Sequence, residues 1–170
     1  MTRYLPAFSW PKDIQAFLDE IIAERPLLNV CSGHTSWGDV NVDRYEPSDT
    51  NADWQRLPFA DDAFAAVFAD PPWTAAYKPQ VSGFVNEALR IAPVAYLMAP
   101  WIYGASHAQI TSIWVRQHPG VNTAILLTRY ARGIGFDISR PYLDEQARLR
   151  TGSGTPSNAL DNLPLFGDAK

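Results

Sequence analysis

The chain has 170 residues, 46% of them hydrophobic and 19% charged, enough apolar material for one packed domain and too much for wholesale disorder. Its formal net charge of −4 excludes the overall basic footprint of a protein that grips duplex nucleic acid without regard to sequence, although a local basic patch is compatible with it. Cys31 is the sole cysteine, which excludes an internal disulfide, and the scattered His34, His107 and His118 predict no structural metal. No charged-then-apolar leader and no apolar run of membrane-spanning length stands in the sequence, so the expectation is a cytoplasmic protein without membrane contact.

Residues 1–11 are rich in aromatics and proline, with Tyr4, Phe8 and Trp10 before Pro11, a residue suited to the first turn of a helix. Ile14, Phe17, Leu18, Ile21 and Ile22 recur at helical spacing to about residue 24, and Pro26 stops that helix. Leu27 to Cys31 is a short apolar run ending at Ser32-Gly33, the pattern of a strand buried on both faces. Val40-Asn41-Val42 predicts a second strand ending at Asp43. Residues 45–62 are polar and irregular. Phe64 to Ala69 is a third apolar run, opening into Asp70-Pro71-Pro72-Trp73. Val81, Phe84, Val85, Ala88 and Leu89 predict a helix that stops before Pro93, and Val94 to Ala99 a strand ending in Pro100-Trp101. Ser106 is a candidate cap for a further helix carrying Ile110, Ile113 and Trp114 and ending near His118-Pro119-Gly120. Thr123 to Tyr130 predicts a strand, with Phe136-Asp137-Ile138 as its antiparallel partner after Gly133 and Gly135. From about residue 150 the composition turns to Thr, Gly, Ser, Pro and Asn. The expected organisation is one domain over 1–150 and a disordered tail over 151–170. Strands alternating with helices imply an α/β fold with a mainly parallel sheet.

The string Phe68-Ala69-Asp70-Pro71-Pro72-Trp73 resembles the catalytic motif of the S-adenosylmethionine-dependent amino-methyltransferases, in which a strand ends in Asp, Asn or Ser, two prolines and an aromatic residue. The stretch 57–73, together with 27–33 and 39–43, resembles class I methyltransferases, and the likeness extends over roughly residues 27–130. It implies a Rossmann-like fold, mainly parallel with a C-terminal antiparallel strand, and S-adenosyl-L-methionine as cofactor. It also implies cofactor contacts from Ser32 and Gly33 in the loop after the first strand, from Asp43 to the ribose hydroxyls, and from Asp53 to the adenine amino group. The family loop is glycine-rich and opens on an acid. Here Asn29 stands at the acid, Cys31 at the first glycine and Thr35 at the third, and only Gly33 is kept. Nine residues separate Gly33 from Asp43, fewer than the dozen or more that a parallel crossover through a helix needs. The early crossover helices are therefore expected to be missing, which would bare one sheet face and favour a homodimer.

The chemistry implied for the motif rests on an exocyclic amino nitrogen whose lone pair is delocalised into its ring. The Asp70 carboxylate and the Pro71 carbonyl supply acceptors that favour a tetrahedral, nucleophilic nitrogen. Pro71 and Pro72 fix φ and preorganise those acceptors, and Trp73 offers a face for the base to stack on. Trp101 and Tyr103 follow a strand on the side where such folds keep their sites and are candidates for the base pocket. The expected substrate is N6 of adenine in DNA, with N4 of cytosine as a near neighbour that the motif does not separate from it. RNA bases, small molecules and a catalytically inactive cofactor-binding subunit are the alternatives, the last disfavoured by an intact Asp70 and Trp73. The sequence carries no target-recognition domain. One source of targeting is the tail: Asn162-Leu163-Pro164-Leu165-Phe166 resembles the peptide by which replication proteins dock on the sliding clamp, with Leu163, Leu165 and Phe166 as anchors.

Overall fold

The computed structural model describes residues 10–73, 76–105, 108–117 and 124–133. Seven strands form one sheet: β1 (Leu27–Val30), β2 (Val40–Asp43), β3 (Thr50–Asn51), β4 (Ala66–Ala69), β5 (Val94–Ala99), β6 (Ala108–Gln117) and β7 (Ala124–Arg132), in the spatial order 3-2-1-4-5-7-6. Strands β1 to β5 run parallel, and β7 enters antiparallel between β5 and β6. The parallel strands β1, β4 and β5 are buried at every position, as their unbroken apolar runs require of strands covered on both faces.

Two helices supply that cover. Helix α1 (Lys12–Ile21) buries Ile14 and Leu18 on the face that carries Leu27, Phe68, Tyr96, Met98 and Leu127. Helix α2 (Val81–Ile91) buries Phe84, Val85, Ala88 and Leu89 on the opposite face, against Leu28, Val67, Leu97 and Tyr130. Neither the β1–β2 link, nor β2–β3, nor β3–β4 contains a helix, so the early crossover helices are missing, as the nine residues between Gly33 and Asp43 predict for the first. The chain compensates with packed loops. The Asp39 carboxylate accepts the Leu27 N–H at 2.7 Å, and Gly38 passes so close to β1 that an added Cβ would sit 2.7 Å from the Asn29 Cβ.

Two expectations are corrected. The residues expected to form a helix with Ile110, Ile113 and Trp114 form β6 instead. Their spacing mimics a helix because a one-residue bulge between Ile110 and Ser112 interrupts the two-residue alternation. Past the bulge, Trp114 and Arg116 face α1, where Arg116 pairs with Asp13 at 2.9 Å, and Ile113 and Val115 face the other way and are exposed. The antiparallel partners of β7 are β5 and this upstream strand, and residues 136–138, like 151–170 with the clamp-like peptide, lie outside the described residues. The polar stretch 45–62 also hides β3, two residues long, whose pairing with β2 supplies what its composition does not. Among the described residues, no helix is long and apolar enough to cross a membrane, and no group of His, Cys, Asp and Glu could hold a metal ion.

Candidate functional site

The carboxyl ends of β1, β2, β3 and β4 open on one edge of the sheet, the edge at which open α/β folds bind ligands. A cleft of about 230 Å³ lies there, with Cys31, Asp43, Tyr45, Trp54, Tyr77 and Gln80 in its wall. Trp54 is held rigidly, stacked on Phe84 at 5.0 Å between ring centroids and donating its indole N–H to the Gln80 side chain at 3.2 Å. Tyr45 stands at the rim, 62% exposed, under the Arg44 guanidinium.

The loop after β1 takes the shape of a glycine-rich loop with fewer glycines. Cys31 and Gly33 both adopt left-handed backbone, with φ of 57° and 55°. Gly33 does so without cost, whereas Cys31 carries the steric penalty of a Cβ in that region. What holds the loop is a set of polar side chains. Asn29, fully buried, donates to the Thr35 hydroxyl at 3.0 Å and to the Asn41 side-chain oxygen, Oδ1, at 3.1 Å. Thr35 in turn donates its hydroxyl to the Ser32 carbonyl at 2.8 Å. Ser32 is buried, and its own Oγ finds no partner among the described residues.

Asp43 ends β2 in the cleft wall. Its Oδ2 accepts the Gly33 N–H at 2.9 Å, and its Oδ1 accepts the N–H groups of Tyr45 and Glu46 at 2.8 and 3.0 Å. An ionised carboxylate has about four acceptor positions, so one remains for a ligand. Asp53 is placed differently. It accepts the Arg44 guanidinium at 2.7 Å and caps its own turn through the Gln55 N–H at 2.9 Å, while Ala52 and Trp54, on either side of it, line the cleft. Ser32, Gly33 and Asp43 are thus brought together, and Asp53 stands outside that group.

Asp70 leaves the end of β4 and is followed by the buried Pro71. Its two carboxylate oxygens are held from opposite sides by indoles. Trp10 donates to Oδ2 at 2.9 Å and Trp73 to Oδ1 at 3.1 Å. Burial pushes the carboxyl from its ordinary 3.8 up to about 7, against the pull of both N–H donors toward the charged form. The Cys31 thiol is pushed well up by burial and by the charges of Asp43, Asp70 and Asp53, so it stays neutral. Trp73 also reaches the Met98 carbonyl at 3.3 Å and packs on the α1-side core, so part of the expected stacking face is already covered. Trp101 and Tyr103 follow β5, the neighbour of β4, and meet edge to face at 6.2 Å. Trp101 Nε1 and Tyr103 Oη are both buried and lack partners among the described residues.

Sequence reasoning missed Trp10, which reaches Asp70 across 60 positions of chain, and the cleft-wall residues Tyr45, Trp54, Tyr77 and Gln80. The available signal was Trp54 itself, a large aromatic inside a polar stretch.

No family model matches this sequence, and no curated protein matches it. Solved structures do match the fold. A Bacillus halodurans protein assigned as a methyltransferase is 12% identical with a TM-score of 0.50, over 71% of this chain and 99% of that one. The methyltransferase in complex with the Haloferax volcanii Trm112 methyltransferase activator is 12% identical with a TM-score of 0.50, over 71% and 88%. The [4+2]-cyclase SpnF is 11% identical with a TM-score of 0.53, over 78% and 85%. These likenesses show a Rossmann-like α/β fold. A cyclase among them illustrates that the fold does not choose the chemistry, which has to be read from the site.

Proposed function

We propose that this chain is an S-adenosylmethionine-dependent methyltransferase acting on an exocyclic amino group of a nucleic-acid base, with N6 of adenine in DNA as the preferred target. The observation that carries the reading is Asp70: a half-buried carboxylate of the Asp-Pro-Pro-Trp turn, held by two indole N–H groups at the ligand-binding edge of a Rossmann-like fold.

The residues in the cleft wall and in the loop beside it fit the cofactor. Asp43 keeps one acceptor position for the ribose hydroxyls, Ser32 offers an orphaned buried hydroxyl, and the left-handed Cys31 and Gly33 bring backbone close to a ligand. The cleft volume, below the roughly 300 Å³ at which drug-sized pockets begin, suits the nucleoside portion, flanked by the aromatic rings of Tyr45 and Trp54. Asp53 enters this reading only through Arg44, which it anchors beside the cleft.

When bound, the cofactor supplies an electrophilic methyl group. Asp70, ionised, accepts a hydrogen bond from the target amine and so draws its lone pair out of conjugation with the ring; the Pro71 carbonyl is the second acceptor. After transfer the nitrogen must shed a proton, and a carboxyl poised at about 7 is matched to hold one near neutral pH. Trp73 keeps the carboxylate in place while its uncovered surface receives the base. Trp101 Nε1 and Tyr103 Oη are donors without partners, available to acceptor atoms of the base. A base within a duplex would have to be flipped out first.

The test is incubation of the full chain with labelled cofactor and separate pools of DNA, RNA and protein, followed by nucleoside mass spectrometry. Methyl label on N6 of adenine in DNA is the expected outcome. Label only in RNA transfers the same chemistry to RNA, and label in neither nucleic acid overturns the proposal.

A further inference from the structure

We propose that Trp10, from the segment that leads into α1, is a positioning residue for the Asp70 carboxylate, and that this indole couples the N-terminal helix to the reacting end of β4. The inference rests on the amino-methyltransferase reading above and extends it to a residue outside the motif and outside the cofactor cleft.

The geometry is specific. Trp10 is 9% exposed and sits edge to face against both Phe68 and Trp37, with ring centroids 5.3 and 5.5 Å away. Phe68 and Trp37 meet each other in the same way at 5.2 Å, so three rings lock one another. Trp37 is tied to α1 by its own indole N–H on Asp19 at 2.7 Å. Phe68 lies in β4, two residues before Asp70. The indole thus has one packed orientation, and in it Nε1 lies 2.9 Å from Asp70 Oδ2. A core position would accept any large ring. Only tryptophan places a neutral donor, with no acceptor function of its own, against the carboxylate.

Trp73 lies in the turn itself and divides its N–H between Asp70 Oδ1 and the Met98 carbonyl. Trp10 approaches from the α1 face, away from the cofactor cleft, and can hold Oδ2 throughout turnover. Asp70 shares its surroundings with the Cys31 thiol after β1, on which its charge acts together with those of Asp43 at the end of β2 and Asp53 after β3. Burial opposes ionisation of Asp70, and the two indole donors are the groups that favour it.

The experiment uses the full chain labelled at tryptophan indole nitrogens and aspartate carboxyl carbons, titrated by NMR from about pH 5 to 9, with Asp70→Asn assigning the Asp70 signal. In the unmutated chain the Trp10 N–H should titrate with the Asp70 midpoint, and that response should vanish in Asp70→Asn. Trp10→Phe keeps the ring and removes the donor. Its Asp70 midpoint should rise by about one pH unit, as expected for losing one hydrogen bond to a charged group. Methyl transfer at pH 7 should then fall about fivefold, with a deficit that narrows toward pH 9 and cofactor affinity unchanged within about twofold. A merely structural role predicts a deficit that ignores pH. Equal Asp70 midpoints in the two proteins, or a pH-independent deficit, overturns the proposal. Should Trp10→Phe fail to fold, the indole titration in the unmutated chain decides alone, and a Trp10 N–H blind to Asp70 ends the idea. If the unmutated chain transfers no methyl group to any nucleic acid, the functional reading falls, while the NMR midpoints still report whether Trp10 controls Asp70.

Discussion

At the scale of single residues, Asp70 and Asp43 make opposite uses of a carboxylate. Asp70 is half-buried with only two neutral donors, and desolvation raises its folded-state pKa to about 7 from an ordinary 3.8. Between those values the folded chain holds a proton that the unfolded chain releases, so this residue's contribution to stability falls as pH rises through that window. Asp70→Asn removes the titration. Its melting temperature relative to the unmutated chain should therefore be more favourable at pH 8 than at pH 4, and a difference independent of pH would contradict the burial argument. In the same variant methyl transfer should be lost with cofactor affinity nearly intact, and in the unmutated chain activity should climb as pH passes about 7. Asp43 is instead satisfied by three backbone N–H groups. Asp43→Ala orphans them together, so it should destabilise the chain by about 1–3 kcal/mol in urea unfolding besides weakening the cofactor. An unchanged unfolding midpoint would mean that these bonds carry no net stability.

At the scale of elements, the loop from Cys31 to Asp39 replaces a helix, and its stability rests on close approach and on a strained residue. Cys31 and glycine differ there in two ways, side-chain packing and freedom at positive φ. Comparing Cys31→Gly with Cys31→Ala isolates the second, because both lose the thiol. The glycine variant should be the more stable by about 1 kcal/mol in chemical denaturation. Gly38 makes the converse point. A Cβ there would meet the Asn29 Cβ at 2.7 Å and the Val40 carbonyl oxygen at 2.9 Å, and two of its three nearest atoms are backbone, which cannot step aside. Gly38→Ala should cost about 1–3 kcal/mol, the usual range for overpacking, and a neutral result would show that β1 and the loop can part without loss. The β6 strand teaches the same lesson about local pattern. Its Ile, Thr and Val content suits a strand, but the bulge after Ile110 broke the alternation that would have announced it.

At the scale of the molecule, one helix on each face suffices for β1 to β5, and the cover thins toward β6, where Ile113 and Val115 are exposed. The order 3-2-1-4-5-7-6 brings the ends of β1, β2 and β4 side by side, so Ser32-Gly33, Asp43 and the Asp70–Trp73 turn share one edge although they are distant in the chain. Targeting belongs to this scale too. For a chain of net charge −4, we propose that clamp docking through Leu163, Leu165 and Phe166 would supply the DNA at high effective concentration. The intact chain should retain the host clamp in a pull-down and the Leu165→Ala/Phe166→Ala variant should not. Equal recovery by both, or none by either, ends that reading.

The sequence by itself determined the parallel α/β class, the runs that became β1, β2, β4, β5 and α2, the absence of the early crossover helices, and the Asp-Pro-Pro-Trp turn at the end of a strand. These are local properties: apolar runs, proline stops and spacings too short for a helix are all written within a few residues. The tertiary structure alone decided that residues 108–117 pair with β7, that the two-residue β3 exists, that Asp53 serves Arg44, and that Trp10 reaches Asp70. Each of these depends on a partner distant in the chain, and a strand edge or an indole donor acquires its role only when packing brings that partner within hydrogen-bonding distance.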